Sequence, residues 1–207
     1  MAHPLAANPI KEAMKGAVRS FDRLLRWLLG VFEFCSEPYC LLRARRTTTP
    51  HPVMLPTGVV PAGAPMVELH LWNEHIPPLP PEGPTVAWAI QVRRRLVRSF
   101  QALARQMPQD PRLAGAQILG GVTVLPLASA HGSGVRLFEQ LGFVIQPYRP
   151  PLGRFGEFWQ NLYLWAIMWA FNEPTLAQRS LLRLRRCEVW MTSDELLRRY
   201  GEKERAA

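Results

Sequence analysis

The chain has 207 residues, of which 48% are hydrophobic and 20% charged. It is long enough for one domain and too apolar for an extended disordered protein. Its formal net charge is +9, and only three of its 25 basic residues are lysines. This charge favours anionic partners such as phosphorylated ligands or acidic lipid head groups, although an arginine-rich solvated surface explains it equally well. Aromatic residues are not interleaved with the arginines as in nucleic-acid binding, so nucleic acid is not an expected partner.

The cysteine content indicates a reducing compartment. Cys35, Cys40 and Cys187 are odd in number and lack the two-residue gap of a zinc knuckle, so neither a disulfide scaffold nor a structural zinc site is predicted. No cleavable signal peptide is recognised at the start of the sequence. We therefore expect a cytoplasmic protein, which could contact the inner face of the membrane.

The first predicted element is an amphipathic helix over residues 10–34. Its apolar residues recur at intervals of three or four, and its second half is apolar almost all round. That half must be buried in protein or at a membrane surface. We interpret residues 1–37 as an N-terminal helical arm, 38–201 as an α/β domain and 202–207 as a frayed tail.

The remaining elements predict one mixed-sheet α/β domain. Residues 66–125 form a strand–helix–strand unit, which favours a parallel strand pair joined by a right-handed crossover. The uncharged run 158–172 has 15 residues, fewer than the ~20 that cross a bilayer. The predicted elements, in order, are strands 39–48, 53–55, 59–60 and 66–72, helix 85–107, strand 116–125, helix 134–141, strand 143–148, an aromatic segment 155–171, a basic helix 176–186, strand 187–191 and a terminal helix that follows a capping box at 192–195 and ends at Gly201.

The best strand carries polar residues on one face. Glu68 and His70 alternate with apolar neighbours, and Asn73, Glu74 and His75 follow at the carboxyl end, where open α/β sheets collect ligands. Burying a carboxylate requires a partner or a shifted pKa. Glu68 and His70 are therefore the candidate catalytic residues, and the three that follow are candidate ligand-binding residues. A structural network, with Glu68 paired to an arginine of the long helix, is the alternative.

Four further residues are candidates for binding an anion. Arg94 and Arg98 lie on the long helix just past its first turn, and His131 and Ser133 precede the short helix, whose first amides could hold an anion. Helix capping by Ser133 and a solvated arginine face are the competing interpretations. The spacing of histidines and acidic residues selects no metal geometry, so no metal and no cofactor is predicted.

Residues 134–146, GVRLFEQLGFVIQ, resemble the late part of GNAT acetyltransferases. The resemblance implies a GNAT-like element order, in which the strand 66–72 and the long helix occupy the preceding core positions. It also implies that Glu68 is a candidate general base. The sequence departs from that family at 77–84, because prolines replace the glycine-rich turn whose amides approach the coenzyme A pyrophosphate.

A second resemblance covers residues 20–200. The runs VMLPTGVVPAGAPMVELHLWNEHIP, LFEQLGF and EVWMTSDELLRRYG are similar to the YkoP-like domain family. Such domains occur fused to polysaccharide deacetylases, so the resemblance implies a link to envelope polysaccharide chemistry. The chain has no metal-binding His/Asp set of the deacetylase kind.

These observations predict an accessory protein that binds an anionic ligand, phosphorylated or sugar-bearing, in envelope polysaccharide or lipid-linked precursor metabolism. Two alternatives stay open. One is a GNAT-type acyltransferase with Glu68 as general base, and the other is a structural module peripheral to the membrane. Whether the protein is an enzyme, and its oligomeric state, are left open.

Overall fold

A computed structural model describes most of the chain, and its elements follow the predicted order. The helices are α1 (Pro9–Leu28), α2 (Val86–Gln106), α3 (Ser133–Gln140) and α4 (Ser193–Tyr200), and the strands are β1 (Leu42–Thr48), β2 (Val53–Leu55), β3 (Gly58–Val60), β4 (Pro65–Leu71), β5 (Ile118–Val124), β6 (Val144–Pro147) and β7 (Arg186–Thr192). The residues described are 9–80, 83, 85–124, 133–148, 161–163, 165–167, 169–170 and 186–201. Residues 161–163, 165–167 and 169–170 are helical, and we call them the aromatic helix.

The main sheet has five strands in the order β1-β4-β5-β7-β6. The predicted parallel pair is confirmed, because β4 runs parallel to β5 while every other neighbouring pair is antiparallel. The β4–β5 ladder covers only three residue pairs and ends at Glu68–Gly120, whereas β5 and β7 pair over seven. The fold is therefore mixed α/β with a single mixed sheet, as predicted.

The main core lies on one face of this sheet, which we call the helix face. Val67 and Leu119 of the central strands pack in one cluster with Phe100 and Leu103 of α2 and Leu196 of α4. All five are almost fully buried. The alternation of β4 would also place Leu71 under α2, but Leu71 is the last residue of the strand and is exposed.

The opposite face, which we call the hairpin face, is covered by the β2–β3 hairpin. Val53 of β2 forms a small buried cluster with Met66, Ile118 and Trp190. A side chain at Gly120 would collide with the Trp190 ring, so only glycine lets that ring approach β5 so closely. The hairpin face also carries the polar residues of β4.

The first helix ends earlier than predicted. We expected a helix over residues 10–34, but α1 stops at Leu28 and Gly30 adopts φ 68°. The amide of Gly30 donates to Trp27 O and that of Val31 donates to Arg26 O, which is the Schellman arrangement that closes a helix. The chain then turns, and Phe32 forms a bridge with Ala44 of β1. The one signal for this stop in the sequence is Gly30, which lies inside an apolar run.

The other boundaries agree within a few residues, with one correction. Thr192 caps α4 by accepting from the amide of Glu195, as the capping box predicted. Arg186 was expected to end a basic helix, but it is the first residue of β7. The rest of that predicted helix, 176–185, and the predicted segment 155–160 lie outside the described residues.

Candidate functional site

Glu68 and His70 lie together on the hairpin face, as their alternation predicted. Glu68 Oε2 lies 3.4 Å from Arg45 Nη1 of β1 and 3.6 Å from His70 Nε2. Register explains the first contact, because Arg45 stands directly opposite Glu68 in the β1–β4 ladder. The partner of Glu68 is thus an arginine of the neighbouring strand, and not the arginine of the long helix that the alternative interpretation named.

The surroundings of Glu68 decide its ionisation. Burial by itself would raise the pKa of this carboxyl. The nearby His70 imidazole and the Arg45 guanidinium outweigh burial and hold the pKa below its usual range. A carboxylate of this kind is ionised at neutral pH and is a weaker base than an unperturbed one, which favours an ion-pairing role over proton transfer.

The carboxyl end of β4 carries a separate network of ion pairs. A 3-10 turn over Asn73–His75 follows the strand. It brings Glu74 within 3.3 Å of both Arg43 of β1 and Arg26 of α1. Arg43 also pairs with Glu33 at 3.0 Å, and its guanidinium lies 4.2 Å from the centre of the Trp72 ring. We call Arg26, Glu33, Arg43 and Glu74 the strand-end network.

His75 is held in place by three contacts. Its ring stacks on Trp72 at 3.8 Å, and its Nδ1 lies 2.8 Å from the carbonyl oxygen of Cys40. Arg95 of α2 donates to the His75 carbonyl oxygen at 2.8 Å. Asn73 is partly buried in the same turn, and its carbonyl oxygen accepts from the amide of Ile76. These contacts tie the turn to α2 and to the segment just before β1.

Two adjoining grooves lie between this turn and the N-terminal half of α2. The first has a volume of about 710 Å³ and includes Glu74, His75, Trp88 and the prolines that follow the turn. The second, about 520 Å³, includes Arg94 and Arg98. Both grooves are bordered by Pro38, Ala87, Gln91 and Arg95. We call the two together the α2 groove.

The α2 groove is open and basic. Arg94 and Arg98 are exposed. Within the described part of the chain neither lies within 4.0 Å of a carboxylate. Arg98 instead lies 5.7 Å from the ring of Tyr39. The Glu74 carboxylate is already paired with two arginines, so the groove presents an excess of positive charge.

The predicted site residues therefore separate into two places. Glu74 and His75 border the first part of the α2 groove and Arg94 and Arg98 the second, whereas Glu68 and His70 lie on the hairpin face and border neither. His131 is not among the described residues. Ser133 begins α3, but its side chain is likewise not described. No group of three or more His, Cys, Asp or Glu able to hold a metal occurs in the described part of the chain.

The sequence analysis missed a second carboxylate–imidazole pair. Glu188 of β7 is buried, its Oε2 accepts from Trp190 Nε1 at 3.1 Å, and it lies 3.0 Å from His51 Nε2. This contact fastens the segment before β2 onto the sheet. The sequence signal for this pair was the alternation of Glu188 and Trp190 in a strand of mainly apolar residues. That pattern could not identify His51 as the partner of Glu188.

Arg43 and Arg95 were also missed. Arg43 is buried in a strand that carries three arginines, and only the fold reveals its two acidic partners. Arg95 turns from α2 toward the 3-10 turn, which its position in an arginine run could not indicate.

Among the described helices, none is both long enough and apolar enough to cross a membrane.

Comparison with known families gives one match. The family model described as the YkoP domain matches residues 12–200. The searches of curated proteins and of solved structures found no match.

Proposed function

Since this chain belongs to the YkoP domain family, and its open basic groove lies at the end of the polar strand, we propose that it binds an anionic ligand in the α2 groove. The ligand is phosphorylated or sugar-bearing, and it belongs to envelope polysaccharide or lipid-linked precursor metabolism on the cytoplasmic side. The observation that carries the proposal is the position of Arg94 and Arg98 on the groove wall without a carboxylate partner among the described residues.

The chemistry of the groove fits such a ligand. A guanidinium binds phosphate through paired N–H donors, and Arg94 and Arg98 lie one helical turn apart on the same side of α2. Trp88 adds an aromatic surface in the adjoining groove, and its Nε1 donates to Pro77 O at 3.1 Å, which fixes the ring. Apolar walls with a few convergent polar groups are typical of ligand sites.

Isothermal titration calorimetry with inorganic pyrophosphate and with glucose 1-phosphate tests the proposal. Replacing Arg94 and Arg98 together by alanine should weaken binding by about 100-fold or more, because each charge-assisted contact contributes ~1.5–3 kcal/mol and every 1.4 kcal/mol is tenfold. Arg93→Ala is the matched control, since Arg93 is an exposed arginine of the same helix that borders neither groove. Equal binding by the double variant and the control would refute the proposal.

An acyltransferase of GNAT type is the second candidate function. The parallel β4–α2–β5 unit and the half-buried Glu68 on β4 support it. The prolines that border the groove before α2 oppose it, because they offer no amide hydrogens to a pyrophosphate. The lowered pKa of Glu68 also makes it a poor general base. We expect acetyl-coenzyme A to bind weakly or not at all, and a dissociation constant in the low micromolar range would favour the acyltransferase instead.

A further inference from the structure

Helix α1 packs on the rest of the protein with its polar side. Asp22 is buried, where it accepts from Tyr163 Oη at 2.7 Å and lies 3.0 Å from Arg26 Nε. Arg19 donates to the carbonyl oxygen of Ala170 at 2.8 Å, and Lys15 lies 5.7 Å from the centre of the Trp169 ring. The contacts of α1 with the aromatic helix are thus mostly polar.

The apolar side of α1 consequently faces away from the described part of the protein. Trp27 is 75% exposed and Leu28 62%. Phe21 is 52% exposed and touches the protein only at its border, where its ring lies 6.4 Å from that of Tyr163. Ile10, Met14 and Leu24 are exposed on the same side. A surface helix normally turns its apolar stripe toward the core, so this orientation is the reverse of the usual one. A stripe of six large apolar residues on one helix marks an interaction surface, unlike single exposed residues scattered over a protein.

We propose that this apolar stripe lies on an anionic membrane surface. Between Pro9 and Leu28 the helix has five basic and two acidic residues, a net charge of +3. One of the acidic residues, Asp22, is already buried against Tyr163 and Arg26. Exposed Trp, Phe and Leu on one side and basic residues on the other are the pattern of a helix that lies in the plane of the bilayer interface.

Charge argues against a second copy of this chain as the occupant. Packing α1 on its own twin would bring together two helices of net charge +3 on proteins of net charge +9. A membrane rich in acidic lipids attracts the same charges, which adds to the burial of the stripe and is weakened by salt. The proposal is independent of the α2 groove, although Arg26 links α1 to Glu74 at the edge of that groove.

Co-sedimentation with lipid vesicles tests the proposal. The probes are vesicles of phosphatidylcholine with 30% phosphatidylglycerol, and vesicles of phosphatidylcholine alone. The variant replaces Phe21, Trp27 and Leu28 by serine, which removes apolar surface without changing charge. The matched control replaces Met54, Val59 and Leu197 by serine, since these apolar residues are exposed elsewhere.

We expect the unchanged protein to bind the acidic vesicles, less so at high salt, and the α1 variant to bind at least 10-fold more weakly, while the control is unaffected. Equal binding by variant and control overturns the proposal, as does no binding by the unchanged protein. Loss of vesicle binding on replacing Arg94 and Arg98, with the α1 variant unaffected, would mean that the groove and not α1 contacts lipid.

Two further measurements identify the other occupants. Sedimentation equilibrium showing a dimer that the α1 variant abolishes would assign the stripe to a second copy. A clear loss of unfolding free energy in the α1 variant, with no vesicle binding by the unchanged protein, would show that the chain itself covers the stripe. Either result overturns the membrane proposal.

Discussion

The strand-end network and the α2 groove are neighbouring regions whose arginines differ in burial and in ion pairing. Arg43 is buried, and two carboxylates and an aromatic ring surround its guanidinium. Arg94 and Arg98 are exposed beside a concave surface and have no acidic partner in the described part of the chain. Both regions border the same 3-10 turn after β4. Arginines whose charge is matched inside the protein stabilise the fold, and those left unmatched beside a groove are available to a ligand.

The strongest way to break this comparison is to remove Arg43. We expect Arg43→Ala to lower the free energy of unfolding by about 2–3 kcal/mol, because it leaves Glu33 without its cation, leaves Glu74 with Arg26 alone, and removes the group that lies over Trp72. The loss falls at the lower end for a broken buried pair because both carboxylates are partly exposed. Urea unfolding measures the effect.

Arg43→Met is the companion variant, since it keeps most of the aliphatic bulk over Trp72 and removes the charge. If both variants unfold like the unchanged protein, the strand-end network is not structural and the contrast with the α2 groove fails.

A smaller loss of unfolding free energy is expected from changing Glu68, because its ion pair with Arg45 is only half buried. Glu68→Gln should cost about 1 kcal/mol at pH 7. Because the folded-state pKa of Glu68 lies below its usual value, its contribution is complete above about pH 4.5. It is lost as the pH falls through the lowered folded-state value. The difference in unfolding free energy between the unchanged protein and Glu68→Gln should therefore shrink as the pH is lowered.

Urea unfolding from pH 7 down to pH 3 checks this. Glu139→Gln serves as control, since Glu139 is an exposed carboxylate on α3 with no ion pair among the described residues. A stability difference that stays constant across this range would show that Glu68 is not held ionised by Arg45 and His70. Loss of ligand binding in Glu68→Gln, with unchanged stability, would mean that the hairpin face is the binding site.

The smallest stability effect belongs to the groove itself. Arg94→Ala should change the free energy of unfolding by less than about 0.5 kcal/mol, as for an ordinary surface substitution, while weakening pyrophosphate binding. Thermal unfolding without ligand and in saturating pyrophosphate separates the two effects. A stability loss as large as that of Arg43→Ala would place Arg94 with the structural arginines.

Local sequence patterns predicted most of the fold. The period-two alternation of β4, the period of α2 and the capping box at Thr192 each depend on neighbours a few residues apart, so each can be read without the tertiary structure. The stop of α1 could not be read in this way. Its signal was a single glycine inside an apolar run, and the outcome depended on Phe32 pairing with β1.

The candidate site was predictable in composition but not in grouping. Glu74, His75, Arg94 and Arg98 were each singled out for their chemistry and their positions at element ends. That Glu74 and His75 border one of two adjoining grooves and Arg94 and Arg98 the other follows from how α2 crosses the sheet, which no local pattern encodes. The partners of Glu68 and Glu188 depend on strand register and on contacts between residues more than 20 and more than 130 positions apart.

The position of β7 sets a condition on how the molecule is made. This strand lies between β5 and β6, although both precede it in the chain, and it pairs with β5 over seven residues and with β6 over four. Until Arg186–Thr192 has left the ribosome, the edges of β5 and β6 have no partner and are open to pairing with other chains. Completion of the sheet must therefore wait for the last described strand, and the unfinished chain exposes pairing edges until then.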